Sequence, residues 1–363
     1  MFKIKRLISI ILVLSIFLSS TSTIFASNDN VEKSKIINAL RDTEFIKDDM
    51  GLSDVNFADF TISEPIYTYE YTPEGINENS FQLYPLKLDD KLTAWAIAFK
   101  TGNDISYQIS TELVSEVVSV VQNNMQFAII YDYDNCYLYD GSSLHLLKHS
   151  FEHTEKRLVL QSVSDIPSSS NIKLSCMDDS EILGYSTPIS TRALTVYKCN
   201  VEYVTQHPYD NICWAATVAC IVNYKLNKNL SAVDVAQVQY GLSNFDRTLA
   251  IGLERDLLSK TYGLPYTYQP HSTSASNILY NIQHDYPIFG TFKQSNTTKN
   301  SYHAATIYGI NTSNSNIFIM NPTSGSCVGT YDGTQSTYKF ISPATGNTFL
   351  YWSTDCVFWT LAD

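Results

Sequence analysis

Between Cys213 and Trp359 the apolar residues change their period once, and that change restricts the folds open to the chain. Up to Tyr286 the spacing is helical, in "CWAATVACIVNYK" (213–225), "SAVDVAQVQYG" (231–241), "TLAIGLERDLLSKTYG" (248–263) and "SASNILYNIQHDY" (274–286). Ser231, with Asp234 three residues on, reads as an N-cap, and Gly241 as a stop. The text then turns to strand chemistry in "PIFGTFKQ", "SYHAATIYGI" and "SNIFIMNP", and stays strand-like to Trp359. Helices first and antiparallel strands afterwards predict an α+β domain of two lobes. A cleft between lobes is the natural place for chemistry.

The 363 residues are enough for a second domain. Residues 32–46 have helical spacing, and "FQLYPLKL", "LTAWAIAFK" and "SYQIS" read as strands. A packing helix is expected at 111–124 and a β-meander at 126–150, with turns at "YDN" and "DGSS". This predicts a smaller α+β unit, a helix on an antiparallel sheet. His145, His149 and His153 recur every four residues, but in strand and loop text, so they read as solvated rather than as ligands. Residues 164–198, rich in Ser, Thr, Pro and acidic residues, read as a linker open to proteolytic nicking.

Charge separates the same two units. The chain carries −12, of which residues 193–363 contribute only −1 and the first 26 residues +3, leaving −14 for residues 27–192. No basic stripe is visible, so nucleic acid is not an expected partner. Lys3, Lys5 and Arg6 precede the apolar run "LISIILVLSIFL" and the small-residue end "SSTSTIFAS". That is the pattern of a bacterial secretory signal peptide, with cleavage expected after Ala26. The run is too short to span a bilayer comfortably, and no later stretch would cross one. The expected organisation is thus a signal peptide (1–26), an α+β unit with linker (27–190) and a catalytic-type domain (191–363). The product is expected to be secreted, without a membrane partner.

Seven cysteines are an odd number for an exported chain, so at least one is expected outside any bridge. Their irregular spacing, with no CxxC pair, predicts neither a zinc site nor any other metal or cofactor. A bridge from Cys327 to Cys356 stays open. Cys213 stands apart at the mouth of an apolar helix in "QHPYDNICWAATVAC" (206–220). There, unpaired amides and the helix dipole favour the thiolate, so its pKa is expected below the usual 8.5 or so. A nucleophilic thiol also needs a base, and His303 in "SYHAATIYGI" is the candidate. Asn321, at the end of the next strand in "IFIMNPTSG", is expected beside His303 as the acceptor that fixes its tautomer. The backbone N–H of Cys213 and the side-chain amide of Gln206 are the expected oxyanion donors. Cys220, two turns down the same helix, lacks the terminal position and reads as a buried thiol.

In that order, Gln206, "CWAA", "YHAATIYGI" and "MNP" resemble the papain-like cysteine peptidases, most closely their compact bacterial branch of staphopain-like and related secreted or effector proteases. The resemblance covers about the last 170 residues. It implies a helical lobe facing a β-barrel-like lobe, with Cys213 as nucleophile, His303 as general acid/base, Asn321 as orienter and Gln206 as oxyanion donor. Six residues separate Gln206 from Cys213 where the family usually has five, which predicts a bulge in "HPYDNI". The glycine-serine pair that plant members carry before the cysteine is replaced here by "DNI". The resemblance further implies protein or peptide substrates, and a zymogen whose residues 27–190 act as an intramolecular inhibitor. Two other readings stay open: a cysteine amidase, deamidase or transglutaminase-like acyl transfer on the same fold, and an inactive surface-binding homologue.

Overall fold

The computed structural model describes residues 29–363, apart from 73, 102–103, 123–124, 133–134, 150–159, 161, 168–169, 178–179, 185–195, 250–252, 271–273, 295–301, 333–336, 344–346, 351–356 and 362–363. The chain forms two compact units, Met1–Lys35 and Ile36–Asp363. Described residues of the first comprise only the start of helix α1 (Asp29–Thr43). The leader expected at 1–26 lies outside the described residues. Among them, no helix is long and apolar enough to cross a membrane.

The second unit holds two sheets, and the change from one to the other falls between Ile182 and Val196. The first comprises β1 (Thr61–Ser63), β2 (Ile66–Thr72), β3 (Gly75–Leu88), β4 (Lys91–Thr101), β5 (Asp104–Ser110), β6 (Gln126–Asp132), β7 (Asn135–Tyr139), β8 (Leu144–His149), β9 (Ser175–Cys176) and β10 (Ser180–Ile182). Its central order is β10-β1-β3-β2-β6-β7-β8, antiparallel except for the β2–β6 pair. The β6–β7–β8 meander lies where the sequence puts it, with the second turn closed by Asp140 N donating to the Ser143 carbonyl; the "YDN" turn falls partly outside the described residues. Helix α2 (Val114–Val120) is shorter than expected, starting after Leu113 at φ 63° and ending where Val121 turns extended. Val and other β-branched residues resist helix extension, which favours that early stop. Trp95, Phe81, Phe99 and Phe127 fill the core under this sheet.

The linker expectation needs correction. Ser175–Cys176 and Ser180–Ile182, inside that stretch, are strands of the first sheet: Cys176 pairs with Gln126, Ile182 with Thr61, and the following Leu183 is buried. Short strands of this kind carry too little apolar period to stand out in sequence. His145, on β8, is half-buried and faces Asp140, with Nε2 at 3.4 Å from Oδ2.

The second sheet comprises β11 (Val196–Lys198), β12 (Tyr266–Pro270), β13 (Ile288–Gln294), β14 (Tyr302–Asn311), β15 (Ile317–Asn321), β16 (Gly325–Asp332), β17 (Thr337–Ser342), β18 (Asn347–Leu350) and β19 (Val357–Leu361). Because β13 pairs with both β14 and β18, the strands β13 to β18 close into an antiparallel ring. Phe292, Ile307, Ile317, Phe318 and Phe340 are buried within its core. At Gly309 the backbone of β14 is bulged and crowded. A Cβ there would sit 2.6 Å from Phe318 and 2.9 Å from the Tyr197 carbonyl, so no larger residue fits without displacement.

Helices α3 (Cys213–Leu226), α4 (Ala232–Tyr240), α5 (Leu253–Asp256) and α6 (Ala275–Gln283) precede or interleave with that ring. Nine consecutive residues of α3, Trp214 to Val222, are buried, as a helix apolar on all sides requires. Asn227, in the left-handed region at φ 49°, ends it. The capping box of α4 is formed as read, with Ser231 Oγ accepting from Asp234 N and Asp234 Oδ2 accepting from Ser231 N. The single helix expected at 248–263 is instead α5 followed by a wider π-helical turn, Leu257–Thr261. That widening buries two consecutive leucines, Leu257 and Leu258, against α3.

The two sheets also meet. Gln108 on β5 donates through Nε2 to the Ile341 carbonyl at 3.0 Å and accepts from the Ile341 N–H at 2.9 Å. Ile341, on β17, is buried in the core beneath the first sheet.

Candidate active site

Cys213 is the first residue of α3, and its N-cap, Ile212, offers no side-chain acceptor to the helix's first amides. Those amides therefore turn to the sulfur. The N–H groups of Trp214 and Cys213 itself reach the thiol, and the Ala304 N–H donates to Sγ at 3.5 Å across from β14. Trp214 holds the helix opening in place from the other side, its Nε1 donating to the Arg247 carbonyl at 2.8 Å and its ring set edge-on to Tyr240.

The expected lowering of the Cys213 pKa is overturned. Burial of the sulfur, the largest influence, pushes the thiol up, and the negative charge of Glu254 adds to that. The three amides favour the thiolate but do not offset the lost hydration. Sequence reasoning weighed the helix terminus and could not weigh depth. Glu254, buried on α5, also went unremarked, because a lone glutamate in a charged helix carries no signal.

His303 is the second residue of β14 and is buried. Thr306 pairs with Met320, so the continued register sets His303 across from Thr323 and diagonal to Asn321 on one face. Nε2 of His303 lies 2.7 Å from Asn321 Oδ1. The amide orientation is settled by its other partners: Oδ1 also accepts from Thr323 N and Thr323 Oγ1, while Nδ2 donates to Ser324 Oγ at 2.8 Å. His303 Nε2 must then donate, and the imidazole's lone pair resides on Nδ1. Burial lowers the His303 pKa to about 4, against which the Asn321 bond acts weakly. At neutral pH the ring is a free base.

Gln206 is buried on the approach to α3, where the cis His207–Pro208 bond lies in a turn closed by Tyr209 N donating to Gln206 O at 3.0 Å. As placed, the Gln206 amide donates to the carbonyls of Tyr209 at 3.0 Å and Asp210 at 3.2 Å, and its Oε1 is buried without a partner. Its two hydrogens are thus committed to its own loop. That loop is tied to the loop after Asn321 by three bonds: Gln206 N and Tyr203 OH both donate to the Pro322 carbonyl, and His207 Nε2 donates to the Thr323 carbonyl. Thr323 and Ser324 were not singled out in sequence, where "NPTSG" reads only as a turn.

Cys220 is buried, donates to the Glu202 carbonyl, and is pushed up to about 12 by burial. Cys136, Cys199, Cys213, Cys220 and Cys327 are in no disulfide among the described residues, and Cys356, the other end of the bridge left open from Cys327, lies outside them. No cluster of three metal-ligating side chains occurs among the described residues.

The structure thus brings three of the four expected residues to one place: the sulfur of Cys213 meets the residue next to His303, and His303 meets Asn321. Residues 195–335 match a family model described as papain-like cysteine protease AvrRpt2, so this stretch is similar to papain-like cysteine peptidases. The α+β class agrees with that match. No curated protein sequence matches the chain.

Proposed function

We propose that the chain is a secreted cysteine endopeptidase made as a zymogen, with residues 1–26 as signal peptide and 27–190 as an inhibitory N-terminal part. A helical lobe and the closed strand ring would face each other across the substrate cleft. The observation that carries this reading is the pairing of a helix-terminal sulfur with the His303–Asn321 couple through Ala304.

In this reading the resting pair is uncharged, since the thiol is raised and the imidazole lowered. As the sulfur attacks the peptide carbonyl, His303 Nδ1 takes the thiol proton while Asn321 holds the ring. The S–C bond forms and the carbonyl oxygen becomes an oxyanion facing the Cys213 N–H. Gln206 becomes the second donor once its amide leaves the Tyr209 and Asp210 carbonyls. The imidazolium then protonates the leaving amine as the C–N bond breaks, giving a thioester. Water, deprotonated by His303, releases the carboxylic acid and restores the thiol.

The test is incubation of the purified chain under reducing conditions, followed by mass measurement of fragments and labelling with an epoxide thiol inhibitor. Self-cleavage within 180–198 and one label on Cys213 are expected. Equal hydrolysis by wild type and Cys213→Ala would remove the proposal.

A further inference from the structure

At the opposite end of β14 from His303 lies a second polar construction that catalysis does not use. Asn311, Asn314 and Asn316 surround the turn between β14 and β15, and all three point an amide nitrogen at one carboxylate, that of Asp42 at the end of α1. Asn311 Nδ2 reaches Oδ1 at 2.6 Å, Asn314 Nδ2 reaches Oδ1 at 3.2 Å and Oδ2 at 2.9 Å, and Asn316 Nδ2 reaches Oδ2 at 2.9 Å. Four contacts match the four lone-pair positions a carboxylate offers.

The donors are held ready by the turn itself. Asn311 Oδ1 accepts from Ser313 N, Asn314 Oδ1 from Asn316 N, and Asn316 Oδ1 from Tyr331 N. Backbone N–H groups cannot reverse roles, so each amide is locked with nitrogen outward. Asp42 itself is 6% exposed. The chain after it is anchored twice more: Ile46 is fully buried in the core of the strand ring, and Asp49 Oδ2 accepts from Lys198 Nζ and Tyr308 OH, each at 3.1 Å. Asn311 lies eight residue steps along the strand from His303, roughly 27 Å at the usual rise.

We propose that the Asn311–Asn314–Asn316 turn is a docking site for a carboxylate-bearing helix end, and that its occupant is residues 36–50 of this same chain. The site lies remote from Cys213 and retains its occupant without a covalent link. The N-terminal segment is thereby held by a distal clamp on the second sheet, separately from whatever part of residues 27–190 covers the cleft.

The test cuts the chain between the clamp and the first sheet. A recognition sequence for a site-specific protease is inserted between Ser53 and Asp54, both exposed, in an otherwise full-length Cys213→Ala chain. The cut protein is then run by gel filtration with mass detection. The fragment carrying Asp42 is expected to co-elute with the remainder, and to dissociate at least tenfold faster in Asn314→Ala/Asn316→Ala. Separation of the wild-type fragment, or equal retention in both, would overturn the proposal. If the turn variant does not fold, Asp42→Asn repeats the reading from the fragment's side, with the turn unchanged and the same faster release expected. The added protease and inactive background make the result independent of whether Cys213 is a nucleophile.

Discussion

The two ends of β14 use asparagine in opposite senses. Near its start, Asn321 presents its oxygen to His303 and fixes where a base keeps its lone pair. At its far end, three asparagines present nitrogens to Asp42 and cradle an acid. Burial acts alike at both, driving each titrating group toward its neutral form: the imidazole down to about 4, the carboxyl up. The amide is uncharged, so neither end gains a countercharge. It orients the group and moves the pKa less than depth does. In the proposed reading, a site that exchanges a proton gains from an oriented acceptor, whereas a site that holds a segment gains from filling every lone pair.

If the proposed function holds, the largest effect expected of the first end is loss of the proton carrier. His303→Ala should lower kcat/KM by about 10³-fold or more in a peptide-hydrolysis assay, within the range typical of acid–base and nucleophile-activating groups. Asn321→Ala should leave measurable turnover, reduced about 10²-fold, because the ring stays present but loses its orientation. If both variants fall equally, Asn321 is more than an orienter and the contrast between the two ends fails. Next in size is a packing effect between the sheets: Ile341→Ala should lower unfolding free energy by about 2–5 kcal/mol in denaturant titration, with the hydrolysis rate of the folded protein unchanged.

The pH profile sharpens the first end further. With the imidazole at about 4, the acid limb of kcat/KM should lie well below the ordinary 6.5, and activity should be lost as pH falls through about 4. The unfolded chain protonates its histidine first, so the contribution of His303 to stability is present above about 6.5. It is lost as pH falls toward 4, by up to about 3 kcal/mol. An acid limb near 6.5 in the kinetics would mean that the ring is hydrated when the enzyme works.

The catalytic-type constellation was legible because its parts are local signals: a cysteine at a helix opening, a histidine in an apolar strand and an asparagine at the end of the next strand. The β14–β15 hairpin then joins the last two by register alone. The clamp was not legible, since Asp42 and the three asparagines lie some 270 residues apart. "NTSNSN" by itself reads as a turn, and its donor geometry appears only when backbone amides lock each side chain. Depth was equally hidden. Nothing in "NICWAA" says that Sγ loses more to desolvation than it gains from three amides, nor that Glu254 lies near it. Short strands such as Ser175–Cys176 and Ser180–Ile182 escaped because two or three residues carry no period.

The smallest expected effect concerns the second end, and its sign is the informative part. Burial raises the Asp42 pKa above 3.8 against the lowering influence of Asn316, Asn311 and Asn314, so the docked state holds a proton more tightly than the unfolded chain does. Its contribution to stability is therefore full below 3.8 and is lost as pH rises through the docked value. Acid should tighten this contact rather than release it. Melting temperatures of wild type and Asp42→Asn, compared over a pH series from 7 to 4, isolate the effect, because His303 titrates in both chains and cancels. The difference should move in favour of wild type as pH falls. Movement the other way would mean that the amides outweigh burial, and the two ends of β14 would then differ in electrostatics as well as in the direction of their amides.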